Sequence, residues 1–336
     1  MGTLGHSKTA KTAKTATNLL AAMLGLCTAA AFAQSYPAKP VRVINSTAAG
    51  GVIDLTVRAL GQAFAERTGQ NFVVENRIGA NAIIPSDACA KAAPDGYTVC
   101  VLPKTAISLN PSLYSKLPYD PAKSFEPISE LVVSQEVLVI NPSIPAPGLK
   151  DLIDYSKSHP DKINYASSGI GSNVHLTIER LKLRTGASLT HIPYKGASEA
   201  PQAFLSGAVQ LMYLIIGNPG VVEQIKAGQS RALVVSGDAR SPLLPNLPTF
   251  TEAGYPNIES PNWFGMFGPA GMPKDMVSKL SAELSAIVRS AAFKDKILTP
   301  RGFQAVGSSA EEFARFLVED RKRGAELVKI SGARLD

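Results

Sequence analysis

The 336-residue sequence is poor in the residues that most often form metal centres. It contains three cysteines, four histidines and a single tryptophan, and 7% of its residues are aromatic. The three histidines beyond residue 33, at His159, His175 and His191, do not have the spacing of metal ligands. Only Cys89 and Cys100 follow residue 33, which excludes a cysteine-based zinc site. The sequence therefore predicts no metal site.

Motifs of nucleotide and hydrolase chemistry are also missing. No glycine-rich loop is followed by Gly-Lys-Ser/Thr, which excludes a P-loop. No serine lies at the centre of Gly-x-Ser-x-Gly, which excludes a hydrolase elbow. A nucleophilic pair of Ser168 and His175 lacks an acid that would orient the histidine. We therefore expect neither catalytic residues nor a cofactor.

The first 33 residues have the pattern of an export signal. Three lysines precede an apolar run over residues 19–33, which is shorter than the roughly twenty residues that span a bilayer. The run ends in Ala-Phe-Ala, the small-x-small form that signal peptidase cleaves. We expect a signal peptide over residues 1–33, cleaved after Ala33, and a periplasmic chain. The alternative is a lipoprotein attached at Cys27, although Leu26 stands where a small residue is usual.

The charge of the chain is mildly positive and dispersed. The 34 Lys and Arg exceed the 27 Asp and Glu by seven. Without the leader's three lysines, 31 basic residues remain against 27 acidic ones, a net charge of +4. The basic cluster at residues 321–323 lies beside Glu319 and Asp320. Because nucleic-acid binding proteins carry a basic stripe, we expect no nucleic-acid partner; a mild positive charge suits an anionic ligand.

Short β-branched runs alternate with amphipathic helices along the chain. The predicted strands are residues 41–45, 72–75, 98–102, 136–141, 163–166, 189–192, 209–214 and 232–236. The predicted helices are residues 54–68, 82–92, 149–158, 173–185, 198–206, 220–227, 274–290 and 310–331. This alternation is typical of parallel sheets with crossover helices. It predicts an α/β protein with one lobe over residues 34–134 and 261–336 and a second over residues 135–260.

The two remaining cysteines admit two interpretations. Cys89 and Cys100 lie on either side of a turn at Pro94-Asp95-Gly96. In an oxidising compartment they can form a disulfide, and in its absence they would be two buried thiols. Both alternatives stay open at the level of the sequence.

Two strand-to-helix loops are rich in small residues. The first loop is residues 46–54 (STAAGGVID), and the second loop is residues 165–173 (YASSGIGSN). Small residues let a ligand approach the backbone, and free amide groups at the start of a helix attract anions. In a purely structural interpretation, Asp54 caps one helix and Ser172 or Asn173 the other. Two such helix starts, one from each lobe, suit a molecule with two carboxylates that is enclosed when the lobes close.

The chain resembles the substrate-binding proteins of the tripartite tricarboxylate transporter family, the Bug family. The resemblance lies in the order and spacing of segments that include AAGGVIDLTVRAL, VVENRIGANAI, AKAAPDGYTV, INYASSGIGSNVHL, HIPYKGASEA and NWFGMFGPAGMP. It implies a two-lobed periplasmic-binding-protein fold, type II-like, with a Rossmann-like and mostly parallel sheet in each lobe and two chain crossings between the lobes. It implies a receptor, not an enzyme. The implied partners are a small carboxylate and, transiently, a large and a small permease subunit of the inner membrane, with the receptor a monomer.

The resemblance also implies which residues bind the ligand. In the family, backbone amide groups of the two loops hold one carboxylate, with a tyrosine as wall or hydroxyl donor. The corresponding residues here are Thr47, Ala48, Ala49, Gly51 and Asp54 in the first loop, Ser168, Gly169 and Ser172 in the second loop, and Tyr194.

Three departures from the family pattern affect the expected ligand. Ala49 replaces a proline, and Leu214 replaces an acidic residue that could bind an ammonium group. Lys104 replaces a neutral residue, either as an exposed lysine or as a cation that binds the distal carboxylate for roughly 1.5–3 kcal/mol. We expect a dicarboxylate without an amino group, aromatic slightly favoured over aliphatic because of Tyr194 and residues 214–216. The alternative is a protein that presents its ligand to a signalling system.

Overall fold

The structure is a computed structural model that describes residues 2, 36–194 and 199–335. The chain separates into a unit over Met1–Ala38 and a compact unit over Lys39–Asp336. Every helix and strand given below belongs to the second unit. The apolar run of the predicted export signal and its cleavage position after Ala33 lie outside the described residues. Within the described residues, no helix is long and apolar enough to cross a membrane.

Two sheets organise the part of the chain that the structure describes. We call the six-stranded sheet with its helices lobe 1 and the five-stranded sheet with its helices lobe 2. Lobe 1 contains β1 (Val41–Asn45), β2 (Phe72–Asn76), β3 (Thr98–Pro103), β4 (Phe125–Ser134), β10 (Asn262–Pro269) and β11 (Phe303–Ala305), in the order β11-β4-β10-β3-β1-β2. Lobe 2 contains β5 (Glu136–Ile140), β6 (Asn164–Ser167), β7 (Thr190–Pro193), β8 (Leu211–Ile215) and β9 (Arg231–Val235), in the order β7-β6-β8-β5-β9.

The helices lie within two residues of the predicted positions, except for two short helices at Asn110–Leu113 and Ala291–Phe293, which were not predicted. They are α1 (Val52–Thr68), α2 (Ile83–Ala90), α3 (Asn110–Leu113), α4 (Leu149–Ser158), α5 (Asn173–Thr185), α6 (Ala200–Leu205), α7 (Val221–Lys226), α8 (Lys274–Val288), α9 (Ala291–Phe293) and α10 (Ala310–Ser331). Helix α10 begins with a capping box, in which Ser309 Oγ accepts from Glu312 N at 3.1 Å and Glu312 Oε2 accepts from Ser309 N at 2.8 Å. Helices α1 and α5 follow the first and second loops directly.

The fold class, a two-lobed α/β protein, is confirmed, but the sheets differ from the expectation in being mixed. Strand β1 pairs in parallel with β2 and β3, and β6 pairs in parallel with β7 and β8. Strand β10 is antiparallel to β3 and β4, β11 is antiparallel to β4, and β5 is antiparallel to β8 and β9. Parallel strands need a crossover, usually a helix. The chain enters the sheet of lobe 2 with β5 and returns to the sheet of lobe 1 with β10. Both strands are antiparallel to their neighbours in the sheet.

Each sheet has its own apolar core. In lobe 1, Trp263, Phe267 and Phe313 pack together between β10 and α10. Gly265 is required there, because a Cβ atom at this position would lie 2.3 Å from the Phe313 ring. In lobe 2, the core includes Leu138, Tyr165, Phe250 and Leu233. A small cluster joins the two lobes, and its members are Leu109, Leu113, Leu176, Leu327 and Val328.

Cys89 and Cys100 form a disulfide, which decides between the two alternatives left open by the sequence. The bond joins α2 to β3, with a Cα–Cα distance of 6.1 Å, and both residues are fully buried. Closing a loop of this length stabilises the folded state by about 3 kcal/mol in the chain-entropy treatment.

Candidate functional site

The first loop, between β1 and α1, is held from inside the protein by Asp54. The cap residue of α1 is Gly51, so the expectation that Asp54 caps the helix is wrong. Asp54 lies in the first turn, where its Oδ2 accepts from Gly50 N at 2.9 Å and from Arg58 Nε at 3.0 Å. Its Oδ1 accepts from Asn76 Nδ2 at 2.8 Å. The side chain is only 2% exposed.

The charge of Asp54 therefore stabilises the conformation of the first loop. Burial opposes ionisation, but the hydrogen bonds from Arg58, Asn76 and Gly50 hold the pKa of Asp54 below its ordinary value. The carboxylate is ionised at neutral pH and its acceptors point toward protein donors. An anionic ligand would be repelled by this side chain, so the contribution of Asp54 to the predicted ligand site would be the backbone conformation that it holds in place.

The backbone of the first loop offers free donors. Ala48 and Ala49 are exposed, and Gly51 is half-buried. The amide groups of Ala48, Ala49, Val52 and Ile53 donate to no acceptor within the described residues. The first amides of a helix have no intrahelical partner, and the helix dipole favours an anion there. The loop can therefore bind a carboxylate with its amides.

Thr47 is placed differently from the exposed alanines. Its hydroxyl donates to Asn45 Oδ1 at 3.3 Å, and its carbonyl accepts from Asn76 Nδ2 at 2.9 Å. Both contacts tie the start of the first loop to the ends of β1 and β2. Thr47 therefore contributes more to the shape of the loop than to its donors.

The second loop, between β6 and α5, turns on two glycines. Gly169 and Gly171 have φ angles of +125° and +78°, which favour glycine. A Cβ atom at Gly171 would also lie 2.5 Å from Leu113 of lobe 1. Ser172 caps α5, because its Oγ accepts from His175 N at 3.3 Å. Ser168 is exposed, whereas Ser172 is buried.

Two histidine side chains make polar contacts with residues of the second loop. His175 Nδ1 accepts from Gly171 N at 3.1 Å, and His191 Nε2 lies 2.6 Å from Ser167 Oγ. The two rings stack at 4.2 Å, and Tyr165 stacks on His191 at 4.8 Å. From the sequence, these histidines are expected to be surface or hydrogen-bonding residues, and their place in the candidate ligand site was missed. The sequence signal that could have placed them there is that each lies close to a small-residue loop or to Tyr194.

The histidine pair is neutral at physiological pH. Burial lowers the pKa of His175, and burial together with the neighbouring His175 lowers the pKa of His191 to about 4. Neutral His175 keeps the lone pair on Nδ1 with which it accepts from Gly171. The shape of the second loop therefore depends on an uncharged imidazole.

One segment of lobe 1, which includes Asn76 and Asn81, contacts both loops. Asn76, at the end of β2, binds the first loop. Asn81 in the same segment donates to Ile170 O of the second loop at 2.7 Å. Tyr194 is half-buried, and its amide donates to Ser167 O at 3.0 Å. A ligand between the loops would thus contact both lobes.

The expectation for Lys104 is wrong. Its side chain is 0% exposed, so it is not a surface lysine. Its Nζ donates to Ser260 Oγ at 2.5 Å and Pro261 O at 3.2 Å and lies 3.3 Å from Asp320 Oδ1. Because an ammonium has three donors, none remains for a ligand carboxylate. Burial lowers the pKa of Lys104, and Asp320 opposes this shift.

The junction where the chain passes between the sheets carries buried carboxyl groups. Glu136 accepts from Asn262 Nδ2 at 3.1 Å and from Asn173 Nδ2 at 3.4 Å, so it connects a crossing strand to the second loop. Glu259 accepts from Gly237 N at 2.7 Å. Burial raises the pKa of both carboxyl groups to about 7. Neither group points to metal chemistry, since within the described residues no three His, Cys, Asp or Glu side chains gather closely enough to hold an ion.

Comparison with known proteins gives consistent matches over most of the chain. The family model described as "Tripartite tricarboxylate transporter family receptor" matches residues 56–333. Protein BugT of Bordetella pertussis is 33% identical over 304 residues, 90% of this chain and 92% of BugT. The structure of R. palustris Rpa4515 with adipate has a TM-score of 0.83 and 30% identity, covering 90% of this chain and 100% of that one. MatC from Rhodopseudomonas palustris with bound malate has a TM-score of 0.78 and 29% identity, covering 87% and 100%.

Proposed function

The chain belongs to the tripartite tricarboxylate transporter family of receptors, and on that premise we propose that it captures a small dicarboxylate between its two lobes. Such a protein is a solute receptor and not an enzyme. The observation that carries the proposal is the pair of strand-to-helix loops, one per lobe, with free amide groups on the first and a glycine-rich turn on the second. Relatives whose structures contain adipate and malate support a diacid.

The proposed ligand has no amino group. An α-ammonium group needs a carboxylate partner, and Leu214 stands where such a partner would lie on β8. Glu136, which contacts the second loop through Asn173, is buried, and both of its oxygens already accept from Asn262 and Asn173. Both features favour a plain diacid over aspartate or glutamate.

An aromatic diacid is the favoured form of the ligand in this proposal. Leu214 and Ile215 are half-buried at the carboxyl end of β8, the same sheet edge as the second loop, and Tyr194 is half-buried beside it. Flat apolar surfaces of this kind suit an aromatic ring. An aliphatic chain, as in adipate, is the alternative that the experiment below distinguishes.

The proposal extends to location and partners. The receptor works as a monomer in the periplasm after cleavage behind Ala33, and it delivers the diacid to a large and a small inner-membrane permease subunit. Its lobes comprise residues 34–134 with 261–336 and residues 135–260. The change of sheet between Ser134 and Glu136, and again between Val235 and Asn262, supports these boundaries.

A thermal-shift panel tests the ligand class directly. The protein from Gln34 onward is heated with adipate, malate, terephthalate, benzoate, aspartate and glutamate. A ligand at one hundred times its Kd stabilises the protein by about 2.7 kcal/mol, a shift of a few degrees. We expect the largest shift with terephthalate, a smaller one with adipate and none with the amino acids. A preference for aspartate or glutamate would contradict the proposal.

A pair of tryptophan variants tests the location of the site. Ser168→Trp places a bulky side chain on the exposed part of the second loop and should abolish the shift without unfolding the protein. Ser206→Trp is the matched control, because Ser206 is exposed and lies before β8, at the sheet edge opposite the second loop. Equal shifts in both variants would place the ligand elsewhere.

A further inference from the structure

We propose that Asn81 is a positioning residue of the ligand site, which holds the second loop of lobe 2 from its place on lobe 1. The inference rests on the proposed function, because it concerns how the second loop is kept in its binding shape. Asn81 lies in none of the segments assigned to the ligand. It follows β2 by a few residues, in a turn that precedes α2.

The turn that carries Asn81 has an unusual backbone. Ala80, Asn81 and Ala82 have φ angles of +47°, +50° and +64°. Three successive non-glycine residues in the left-handed region are rare, because each brings its Cβ atom close to a carbonyl oxygen. Such strain persists where the surrounding structure enforces it, and it is concentrated at functional sites.

The turn is held in this conformation by lobe 1 itself. Asn110 Nδ2 donates to Asn81 O at 2.9 Å, and Ser86 Oγ donates to Ala82 O at 2.7 Å. Tyr114 OH lies 3.1 Å from Asn81 Nδ2 on the same lobe. The first two contacts fix the backbone of the turn, and the third, in which Asn81 Nδ2 donates to Tyr114 OH, orients the Asn81 side chain from within lobe 1.

The Asn81 side chain makes its outward contact with the second loop. Its Nδ2 donates to Ile170 O at 2.7 Å. An ideal Cβ atom on Gly169 would lie 3.2 Å from Asn81 Oδ1, so the amide also lies against the Gly169 backbone. The contact therefore restrains the two residues that precede Gly171 and Ser172, where the loop turns toward α5.

Hydrogen exchange of the free protein tests this role without any ligand. Asn81→Gly removes the side chain and leaves a residue that tolerates the left-handed conformation. The matched control is Ala82→Gly, which relaxes the same turn and keeps Asn81. Loss of one hydrogen bond corresponds to roughly a fivefold change in an opening equilibrium. We expect about fivefold faster exchange in the peptide that covers residues 167–173 of Asn81→Gly, and wild-type exchange there in Ala82→Gly.

Adipate affinity provides the second measurement, by calorimetry on the same three proteins. We expect Asn81→Gly to bind adipate about fivefold more weakly than the wild type, whereas Ala82→Gly binds it equally. If no protein in the set binds adipate, adipate is excluded as a ligand, the thermal-shift panel decides the wider proposal of a diacid, and the exchange experiment still decides the role of Asn81. Unchanged exchange of the second loop in Asn81→Gly, or equal acceleration in Ala82→Gly, would overturn the inference.

Discussion

In the first loop, the ionised carboxylate of Asp54 accepts from Gly50, Arg58 and Asn76. In the second loop, the neutral ring of His175 accepts from Gly171. The two loops occupy the same position, between a strand and a helix, one in each lobe. The first loop is held by a side chain that must be charged, and the second loop is held by a side chain that must be neutral.

This difference separates the two loops on the pH scale. The lowered pKa of Asp54 stabilises the fold above its ordinary value of 3.8, and this stabilisation is lost only below that pH. The unfolded chain protonates histidine below pH 6.5, whereas His191 resists protonation down to about pH 4. The stabilising effect of the neutral histidines is therefore lost as the pH falls through this window. Between pH 6.5 and 4, acidification therefore weakens the interactions that hold the second loop and leaves those that hold the first loop unchanged.

The largest effect is expected from removing the charge under the first loop. Asp54→Ala leaves Gly50 N and Asn76 Nδ2 without their acceptor and frees Arg58, so we expect a loss of about 3 kcal/mol in the free energy of unfolding. Urea unfolding measures it. The control is Asp151→Ala, which changes an exposed first-turn aspartate of α4; among the described residues, its side chain accepts from Gly148 N alone. If both variants lost the same free energy of unfolding, Asp54 would contribute no more to stability than an exposed first-turn aspartate.

Removing the neutral support of the second loop should cost somewhat less. His175→Leu keeps an apolar side chain in the buried position but leaves Gly171 N without an acceptor, so we expect a loss of about 2 kcal/mol. His159→Leu, at the exposed end of α4, is the control and should change the stability by less than about 0.5 kcal/mol. A His175→Leu protein as stable as the wild type would show that the loop does not need this acceptor.

The acid sensitivity of binding tests the comparison itself. Acidification below pH 6.5 should weaken adipate binding once His175 is protonated, and burial delays this protonation because it lowers the pKa of His175. One pKa unit of coupling corresponds to roughly tenfold weaker binding by the protonated form. His175→Gln retains an acceptor for Gly171 and cannot be protonated, so its loss should be smaller. Protonation of adipate is the same for both proteins and cancels in the ratio. If calorimetry gave identical pH profiles for the two proteins, protonation of His175 would have no effect on ligand binding.

The last expected effect is a change in the slope of stability against pH and not a loss at one pH, and it concerns the junction between the lobes, where burial opposes the charge of Glu136. Glu136 has a pKa raised to about 7, so its stabilising effect is present below pH 4.5 and is lost as the pH rises through 7. Glu136→Gln should flatten the dependence of unfolding free energy on pH between 5 and 7.5 by about 1 kcal/mol per unit. Glu326→Gln, exposed on α10, is the control. Parallel curves for Glu136→Gln and the wild type would contradict this expectation.

Local sequence signals predicted most helices and the strands that are joined through crossovers. Strand β1 and helices α4, α5 and α10 begin and end at the predicted residues, because hydrophobic periodicity and capping define them locally. Strands β4, β10 and β11 were missed. Strand β4 contains Pro127 and two glutamates, and β10 contains two glycines, one of which makes room for Phe313. These strands are determined by packing between distant segments.

In the candidate site, too, the features with a local sequence signal were predicted and those that depend on distant segments were not. The loops themselves were predicted, since small residues before a helix are visible in the sequence. The environment of Lys104 was not, because its partner Asp320 comes from the far end of the chain. The left-handed turn at residues 80–82 was not predicted, and the following helix was expected to begin at Ala82, inside this turn. Ala-Asn-Ala carries no glycine signal, and contacts with Asn110 and Ser86 override the local preference.

The disulfide between Cys89 and Cys100 has a consequence for how the protein is made. Both sulfur atoms lie in the core of lobe 1, beside Leu102 and Ile107, out of reach of solvent. An oxidant therefore meets the thiols most readily while α2 and β3 are still being assembled. In a chain that completes folding in a reducing compartment, the thiols would be buried, and an oxidant would reach them only through local opening of the core. The redox state of a preparation thus depends on the compartment in which its polypeptide folded, and two recombinant batches with identical sequences can differ in this bond.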